Sequence, residues 1–292
     1  MTDAQARRII DDFERKNVHN EDEEFMFIEA CEYLIDETHD PRLMMHLGGY
    51  YYELRNFDLA LKYYEMASAL HYDDADECLG YIWYYGRTGQ KDYEKAFRHF
   101  KAAADRGNIV ARYKIADMYK NGYYVEKDYD EYKRIIRELY PEITGATNVF
   151  APLPEIYTRL AHIEAGEGNE YEACELYLYA KDFLAQRIRY NAFFGNLNIM
   201  KWLIQDLYKL MEPDRDNIDL YDLYYYLEKP VKISFKYMDR TYHVECMNED
   251  GENVIRFEDK WFRSADDFFR KATIGSKLLT DIYRRLSDFE IE

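Results

Sequence analysis

Histidines and carboxylates are the residues of this chain that could ligate a metal or transfer a proton. The seven histidines occur singly, and no pair has the HExxH spacing or a related ligand spacing. His71 precedes several aspartates and could bind a cation, but a polar loop between two helical segments explains the same residues. Asp214, Asp216 and Asp219 resemble part of a calcium loop, yet the required Gly and the distant Glu are missing. The sequence therefore predicts no metal site.

Motifs for nucleotide binding and covalent catalysis are also missing from the sequence. Gly166 and Gly168 lack the third glycine of a dinucleotide loop and indicate a turn, and neither G-x-S-x-G nor a Walker sequence occurs. Pairs of carboxylates are so frequent in this acidic chain that no single pair indicates a general acid and base. We therefore predict no catalytic residue and no cofactor. An enzyme with its active site near the C-terminal end is the least favoured hypothesis.

A run of tyrosines is the more informative candidate for binding. Tyr81, Tyr84 and Tyr85 lie within five consecutive residues, and tyrosine buries much area at interfaces while few rotatable bonds are frozen. These side chains either face a partner or pack against the next helical segment. Asp117 and Lys120 occupy the matching places one segment later. The five residues form the predicted partner-binding site.

A repeat of 36 residues positions these side chains. Ala60, Ala96 and Tyr132 are separated by that interval, and Leu47-Gly48 recurs as Leu79-Gly80 and more loosely as Ile115-Ala116. A fixed period of this size is typical of helix-turn-helix arrays. The small residues fall mid-helix, where two helices can approach closely. Residues 43–140 are therefore predicted to form three helix pairs that turn near Arg55-Asn56, Gly89 and Tyr123.

The repeated segments resemble the Sel-one-like repeat family, which is related to the tetratricopeptide repeats. The matching residues are Ala111, Ile115, Ala116, Met118, Tyr119, Gly122 and Asp128 in one copy, and Leu79, Gly80, Gly86, Ala96 and Ala103 in the copy before it. Residues 43–75 match loosely, and residues 155–190 form a more divergent copy. The resemblance implies an α-solenoid in which the first helix of each repeat lines a shared concave surface. It implies a binding role and leaves the partner open.

The rest of the chain is divided by prolines and by a change of period. Residues 1–40 are predicted to be a capping helix pair, 41–140 three repeats, 141–154 a proline-containing elbow, and 155–230 further repeat-like helices. Beyond Pro230 the apolar residues alternate with period two, which is typical of strands. Residues 231–292 are predicted to be an α+β module with a three-stranded antiparallel sheet and two helices, which begin after Ser264 and Ser276.

The charge of the chain is negative and unevenly distributed. From residue 231 onward, 11 Lys and Arg face 13 Asp and Glu, so the preceding residues carry −16 of the net charge of −18. Repulsion disfavours nucleic acid and anionic membranes and favours a basic protein as partner, with a peptide as the other choice. We predict a non-catalytic adaptor or scaffold. The alternative is an acidic inhibitor or immunity protein that blocks a basic toxin or nuclease. No apolar run is long enough to span a membrane, and the four scattered cysteines favour a reduced cytoplasm, which we expect to be that of a bacterium.

Overall fold

The first part of the molecule is built from helices of 11 to 18 residues that are joined by short turns. The computed structural model describes residues 1–16, 19–146, 148, 151–190, 192–249 and 251–292. Its contacts divide the chain into two units, Met1–Ile135 and Ile136–Glu292. The helices of the first unit are α1 (Asp3–Glu14), α2 (Glu21–Thr38), α3 (Pro41–Glu53), α4 (Phe57–Ala69), α5 (Ala75–Tyr85), α6 (Tyr93–Asp105) and α7 (Ile109–Asn121), and α8 (Tyr129–Ile143) begins within it.

Short polar side chains start several of these helices. The side chain of Asn20 accepts a hydrogen bond from the Glu23 amide at 2.9 Å, and the Glu23 carboxylate accepts one from the Asn20 amide at 3.1 Å. This reciprocal pair satisfies two amides that the first turn of α2 leaves without helical partners. Asp92 and Asn108 accept from the third residue of α6 and α7 in the same way. Helices α1 and α2 lie where the helix pair is predicted and Asn20 caps α2; that this pair caps the array stays a prediction.

Small residues allow the two helices of a pair to touch. A Cβ atom added to Gly48 of α3 would lie 2.7 Å from the ring of Tyr64 in α4, and one added to Gly80 of α5 would lie 2.4 Å from the ring of Phe100 in α6. Ala60, Ala96 and Tyr132, the residues that carry the period, are fully buried. The pairs turn between α3 and α4, α5 and α6, and α7 and α8, so the three predicted helix pairs are confirmed.

The second unit continues with helices and ends in a sheet. Its helices are α9 (Leu153–Gly166), α10 (Glu170–Tyr190), α11 (Phe194–Leu210) and the short α12 (Leu223–Tyr226), α13 (Ala265–Lys271) and α14 (Leu279–Ile282). Helix α8 runs through Pro141 to Ile143, although a break was expected from Pro141 onward. A proline so close to the end of a helix removes only one of its last hydrogen bonds. Residues 147, 149 and 150 of the predicted elbow lie outside the described residues.

The antiparallel sheet has five strands, so the prediction of three is wrong in number. The strands are β1 (Val231–Tyr237), β2 (Arg240–Glu249), β3 (Glu252–Phe257), β4 (Lys260–Phe262) and β7 (Leu286–Ile291), in the order β4-β3-β2-β1-β7. A separate two-stranded ladder pairs β5 (Thr273–Ile274) with β6 (Lys277–Leu278). The buried residues of β1 and β2 alternate as predicted. Asp250 of the predicted hairpin turn lies outside the described residues.

The two additional strands have different origins. Strand β4 follows a tight turn, and β7 replaces part of the predicted last helix. Strand β4 is only three residues long and follows Glu258, which adopts a positive φ of 54°. In place of the predicted last helix there is one α-helical turn, α14, and a 3-10 turn over Tyr283–Arg285, after which Leu286 opens β7. Leu279, Ile282 and Leu286 are buried, as a helix would bury them. The spacing of these three residues is therefore compatible with a helix, although a helical turn and the start of a strand bury them in the structure. Ser264 does cap α13, as predicted.

Candidate protein-binding surface

The first helices of the three pairs, α3, α5 and α7, contribute side chains to one connected surface. We define the first-helix strip as Tyr52, Tyr85, Arg87, Lys114, Asp117 and Lys120. Arg87 Nε donates to the Tyr52 hydroxyl at 3.1 Å, and the Arg87 guanidinium lies 4.8 Å from the centre of the Tyr85 ring. Lys114 Nζ donates to the Tyr85 hydroxyl at 2.8 Å. These contacts link the three repeats side chain to side chain.

Lys114 is a buried cation at the centre of a group of tyrosines. Only 5% of the residue is exposed, and its Nζ lies 5.0 to 5.5 Å from the ring centres of Tyr81, Tyr84, Tyr85 and Tyr113. An Asp117 carboxylate oxygen is 3.7 Å from the same nitrogen. Ring faces attract a cation electrostatically, and the carboxylate balances its charge. Lys114 therefore fixes the positions of the tyrosines around it.

Tyr81, the first predicted site residue, lies between helices. Its hydroxyl is 2.8 Å from the hydroxyl of Tyr113 in α7, and its ring packs edge-on against Phe100 in α6 with centroids 5.8 Å apart. Burial raises the pKa of the Tyr81 hydroxyl well above its usual value, with the neighbouring Tyr113 hydroxyl adding to the effect. These contacts agree with the hypothesis that Tyr81 packs against the next helical segment.

Tyr84, the second predicted site residue, also takes part in packing. Its ring lies 5.7 Å from Tyr93, 5.9 Å from Tyr123 and 6.2 Å from Phe100. Tyr93 and Tyr123 stack on each other at 4.2 Å. Edge-on aromatic contacts of this kind stabilise a core beyond the area that they bury. Replacing Tyr84 would therefore affect the fold as well as any partner.

Tyr81, Tyr84 and Tyr85 are all partly exposed, and Tyr85 differs from the other two because its hydroxyl contacts Lys114. Its hydroxyl accepts the hydrogen bond from Lys114. A hydroxyl that accepts from an ammonium group directs its own O–H bond elsewhere. Tyr85 can therefore donate to an acceptor of a partner, such as a main-chain carbonyl.

Asp117 and Lys120, the remaining predicted residues, lie on α7 beside these tyrosines. The Asp117 carboxylate faces Lys114, and Lys120 Nζ is 5.2 Å from the centre of the Tyr132 ring. Both residues are partly exposed. Tyr85, Asp117 and Lys120 thus lie among the residues of the strip, whereas Tyr81 and Tyr84 lie beside it and pack against other aromatic rings.

Sequence reasoning missed four residues that hold the site together, namely Tyr52, Arg87, Tyr113 and Lys114. One signal could have identified Lys114. It directly precedes Ile115-Ala116, the third copy of the Leu-Gly pair, in a register position that His46 and Cys78 hold in the other copies. A charged residue at such a position must find partners among its helical neighbours.

Within the described ranges, no group of three or more His, Cys, Asp or Glu side chains is arranged to hold a metal ion. Across those same ranges, no helix is both long enough and apolar enough to cross a membrane.

Comparison with known proteins identifies the helix pairs. The Sel1 repeat model matches residues 44–72, 79–108 and 109–131. A Sel1 repeat protein from Oxalobacter formigenes is 18% identical over 77% of this chain and 82% of its own, with a TM-score of 0.47. The c5321 protective antigen of uropathogenic Escherichia coli, which has an SLR fold, is 19% identical over 62% of this chain and 36% of its own, with a TM-score of 0.41. Both TM-scores are too low to carry weight by themselves. No curated protein matches. Residues 44–72, 79–108 and 109–131 of this chain are Sel1 repeats.

Proposed function

We propose that the chain is a non-catalytic adaptor or scaffold that binds a partner protein along the first-helix strip. Sel1 repeats typically serve as protein–protein interaction modules. In a tandem array, equivalent positions of successive repeats form one surface, so a partner can contact several repeats at once. In this chain, side chains from the three repeats contact one another along the strip.

One observation carries the proposal, namely the Tyr85 hydroxyl that Lys114 holds in place. The hydrogen bond at 2.8 Å orients the hydroxyl of Tyr85, a partly exposed residue whose ring is held by Arg87 from the turn that follows α5. A donor fixed in this way loses little entropy when it binds. Lys120 and Asp117 provide a further donor and an acceptor on the same strip. This set suits an extended segment of a protein, whose main chain offers carbonyl and amide groups.

The acidic charge of residues 1–230 supports a basic partner protein. A field of this sign speeds the encounter with positive charge, while the tyrosines determine how slowly the complex dissociates. The charge distribution and the scattered cysteines also support a cytoplasmic location as part of the proposal.

Affinity capture with the full chain, followed by titration of the captured protein, tests the proposal. We expect Tyr85→Phe, which removes only the hydroxyl, to weaken binding by about fivefold to tenfold, as for the loss of one hydrogen bond of ~1 kcal/mol. Lys120→Ala should weaken it as well, and higher salt should slow association. Phe25→Ala is the matched control, because this exposed aromatic residue lies on α2, away from the strip.

The stability of each variant must be measured beside its affinity. Tyr85→Phe removes the acceptor of a buried ammonium group and loosens α7, whereas Lys120→Ala changes a partly exposed residue and leaves that contact intact. Equal affinity of the wild type, Tyr85→Phe and Lys120→Ala for the partner would refute the strip as the binding surface.

A further inference from the structure

Helix α10 in the second unit presents large apolar side chains to solvent. Tyr171 is 77% exposed, Tyr179 57% and Leu178 46%. These residues are seven and eight positions apart and share one face of the helix. The ring of Tyr179 lies 6.1 Å from that of Tyr157 on α9, and Tyr157 stacks on Phe183 at the same distance. We call this set, Tyr157, Tyr171, Leu178, Tyr179 and Phe183, the α10 aromatic face.

Carboxylates border this face. Glu172 is exposed next to Tyr171, and Glu175 accepts a hydrogen bond from the Tyr171 hydroxyl at 3.1 Å. Asp182 lies one turn beyond Leu178 and is more than half exposed. Aromatic ring faces and carboxylates both attract cations. The α10 aromatic face is therefore complementary to lysine and arginine side chains.

Two of the basic residues of α10 are buried away from this face. Lys181 is buried, with its Nζ 2.6 Å from an Asp222 carboxylate oxygen and 3.0 Å from one of Asp219. Arg187 is buried as well and donates to Glu155 at 2.6 Å. Because these cations pair with carboxylates in the interior, they do not neutralise the acids outside.

Two cations do lie at the border of the face. Arg284 forms an exposed pair with Asp182 at 3.2 Å, and Arg189 follows near the C-terminal end of α10. Exposed ion pairs are weak and are readily exchanged for another partner. The face keeps its acidic character at Glu172 and Glu175, beside the most exposed tyrosine.

We propose that the α10 aromatic face is a docking surface for a basic amphipathic helix of a partner protein. Tyr171 and Leu178 are separated by about 10.5 Å along the helix axis, which is two turns. A helix that packs alongside α10 presents side chains with the same spacing, so its apolar residues contact Tyr171, Leu178 and Tyr179 together. Its lysines or arginines then lie over the tyrosine rings and beside Glu172 and Glu175. This surface is separate from the first-helix strip and does not depend on it.

A synthetic peptide of two Leu-Lys-Lys-Leu-Leu-Lys-Leu heptads serves as the probe, with a second peptide in which glutamate replaces every lysine. Binding to the full chain is followed by fluorescence anisotropy of the labelled peptide. We expect the lysine peptide to bind, and Tyr171→Ala with Tyr179→Ala to weaken its affinity by about tenfold or more, as for hot-spot residues. Glu172→Gln with Glu175→Gln should reduce the salt dependence of binding while Tyr171 keeps its hydrogen-bond acceptor.

Trp202→Ala is the matched control in the same unit, because Trp202 on α11 is 56% exposed. This variant should bind the lysine peptide as the wild type does, so a loss of binding in the tyrosine pair alone assigns the peptide to the α10 aromatic face. Circular dichroism confirms that each variant is folded. The proposal is overturned if Trp202→Ala weakens binding as much as the tyrosine pair does, or if the glutamate peptide binds equally well. It is also overturned if the tyrosine pair alters only self-association of the chain in sedimentation.

Discussion

Replacing Gly80 by alanine should destabilise the first unit, although alanine is the better helix former. The added Cβ would lie 2.4 Å from two ring carbons of Phe100, which is closer than real Cβ contacts. Phe100 is fully buried and its ring contacts Tyr81 and Tyr84, so it cannot move aside without disturbing them. Overpacking of this kind costs ~1–3 kcal/mol, against a gain of ~1 kcal/mol from helix propensity.

Gly49→Ala is the matched control for this prediction. Gly49 also lies within a first helix, α3, but the nearest atom to its added Cβ is the Tyr64 hydroxyl oxygen at 3.9 Å. Only the propensity gain applies there, so Gly49→Ala should raise the free energy of unfolding by ~0.5–1 kcal/mol. The difference between the two variants, ~1–3 kcal/mol, isolates the contact with Phe100. The bulkier Gly80→Leu should destabilise further.

Urea denaturation followed by the fluorescence of Trp83 on α5 is the suitable assay. Trp202 and Trp261 are the other two tryptophans, and both are more than half exposed. Changing both to phenylalanine leaves Trp83 as the reporter of the first unit. If Gly80→Ala stabilises the protein as much as Gly49→Ala does, α5 and α6 do not meet at Gly80 and the repeat register is incorrect.

Two further predictions concern ion pairs of the second unit. Glu155→Ala should lower the free energy of unfolding by ~3–5 kcal/mol, measured in urea, because it leaves buried Arg187 without its carboxylate; an unchanged midpoint would contradict a structural role for the pair. Burial alone would raise the pKa of Asp206, but hydrogen bonds from His162 and Lys209 outweigh it and lower that pKa to about 2. Because the folded pKa lies below the ordinary value of 3.8, this carboxylate stabilises the fold above that pH, and its contribution is lost as the pH falls from there through about 2. As the pH is lowered, the free energy of unfolding of Asp206→Asn should therefore fall less steeply than that of the wild type. An equal decrease in both proteins would be evidence against the prediction.

The repeat architecture could be predicted because the close packing of each helix pair requires a small residue at the same place in every repeat. Gly48 and Gly80 recur in the sequence since each must admit an aromatic ring from its partner helix. Caps such as Asn20 could be predicted because they act within one turn of the chain. Strand β7 could not, because its pairing with β1 is long-range and irregular, with a register shift between Ser234 and Lys236. Local periodicity does not encode such a pairing.

The candidate site was predictable only in part for a related reason. The run Tyr81, Tyr84 and Tyr85 marks α5, but spacing alone does not tell which of the three hydroxyls bonds to a lysine of the next repeat. Lys114, from the following repeat, decides this by occupying the space among the rings. Contacts between repeats therefore separate Tyr85 from the other two, and they become visible only when the helices are placed side by side.

Hydrogen–deuterium exchange of the full chain, with and without the captured partner protein, tests most directly whether the first-helix strip is the binding surface. The strip predicts that binding slows exchange in α5 and α7, the helices that carry Tyr85 and Lys120, and leaves the second helices α4 and α6 unchanged. Slower exchange confined to α4 and α6, or to residues 231–292, would contradict it.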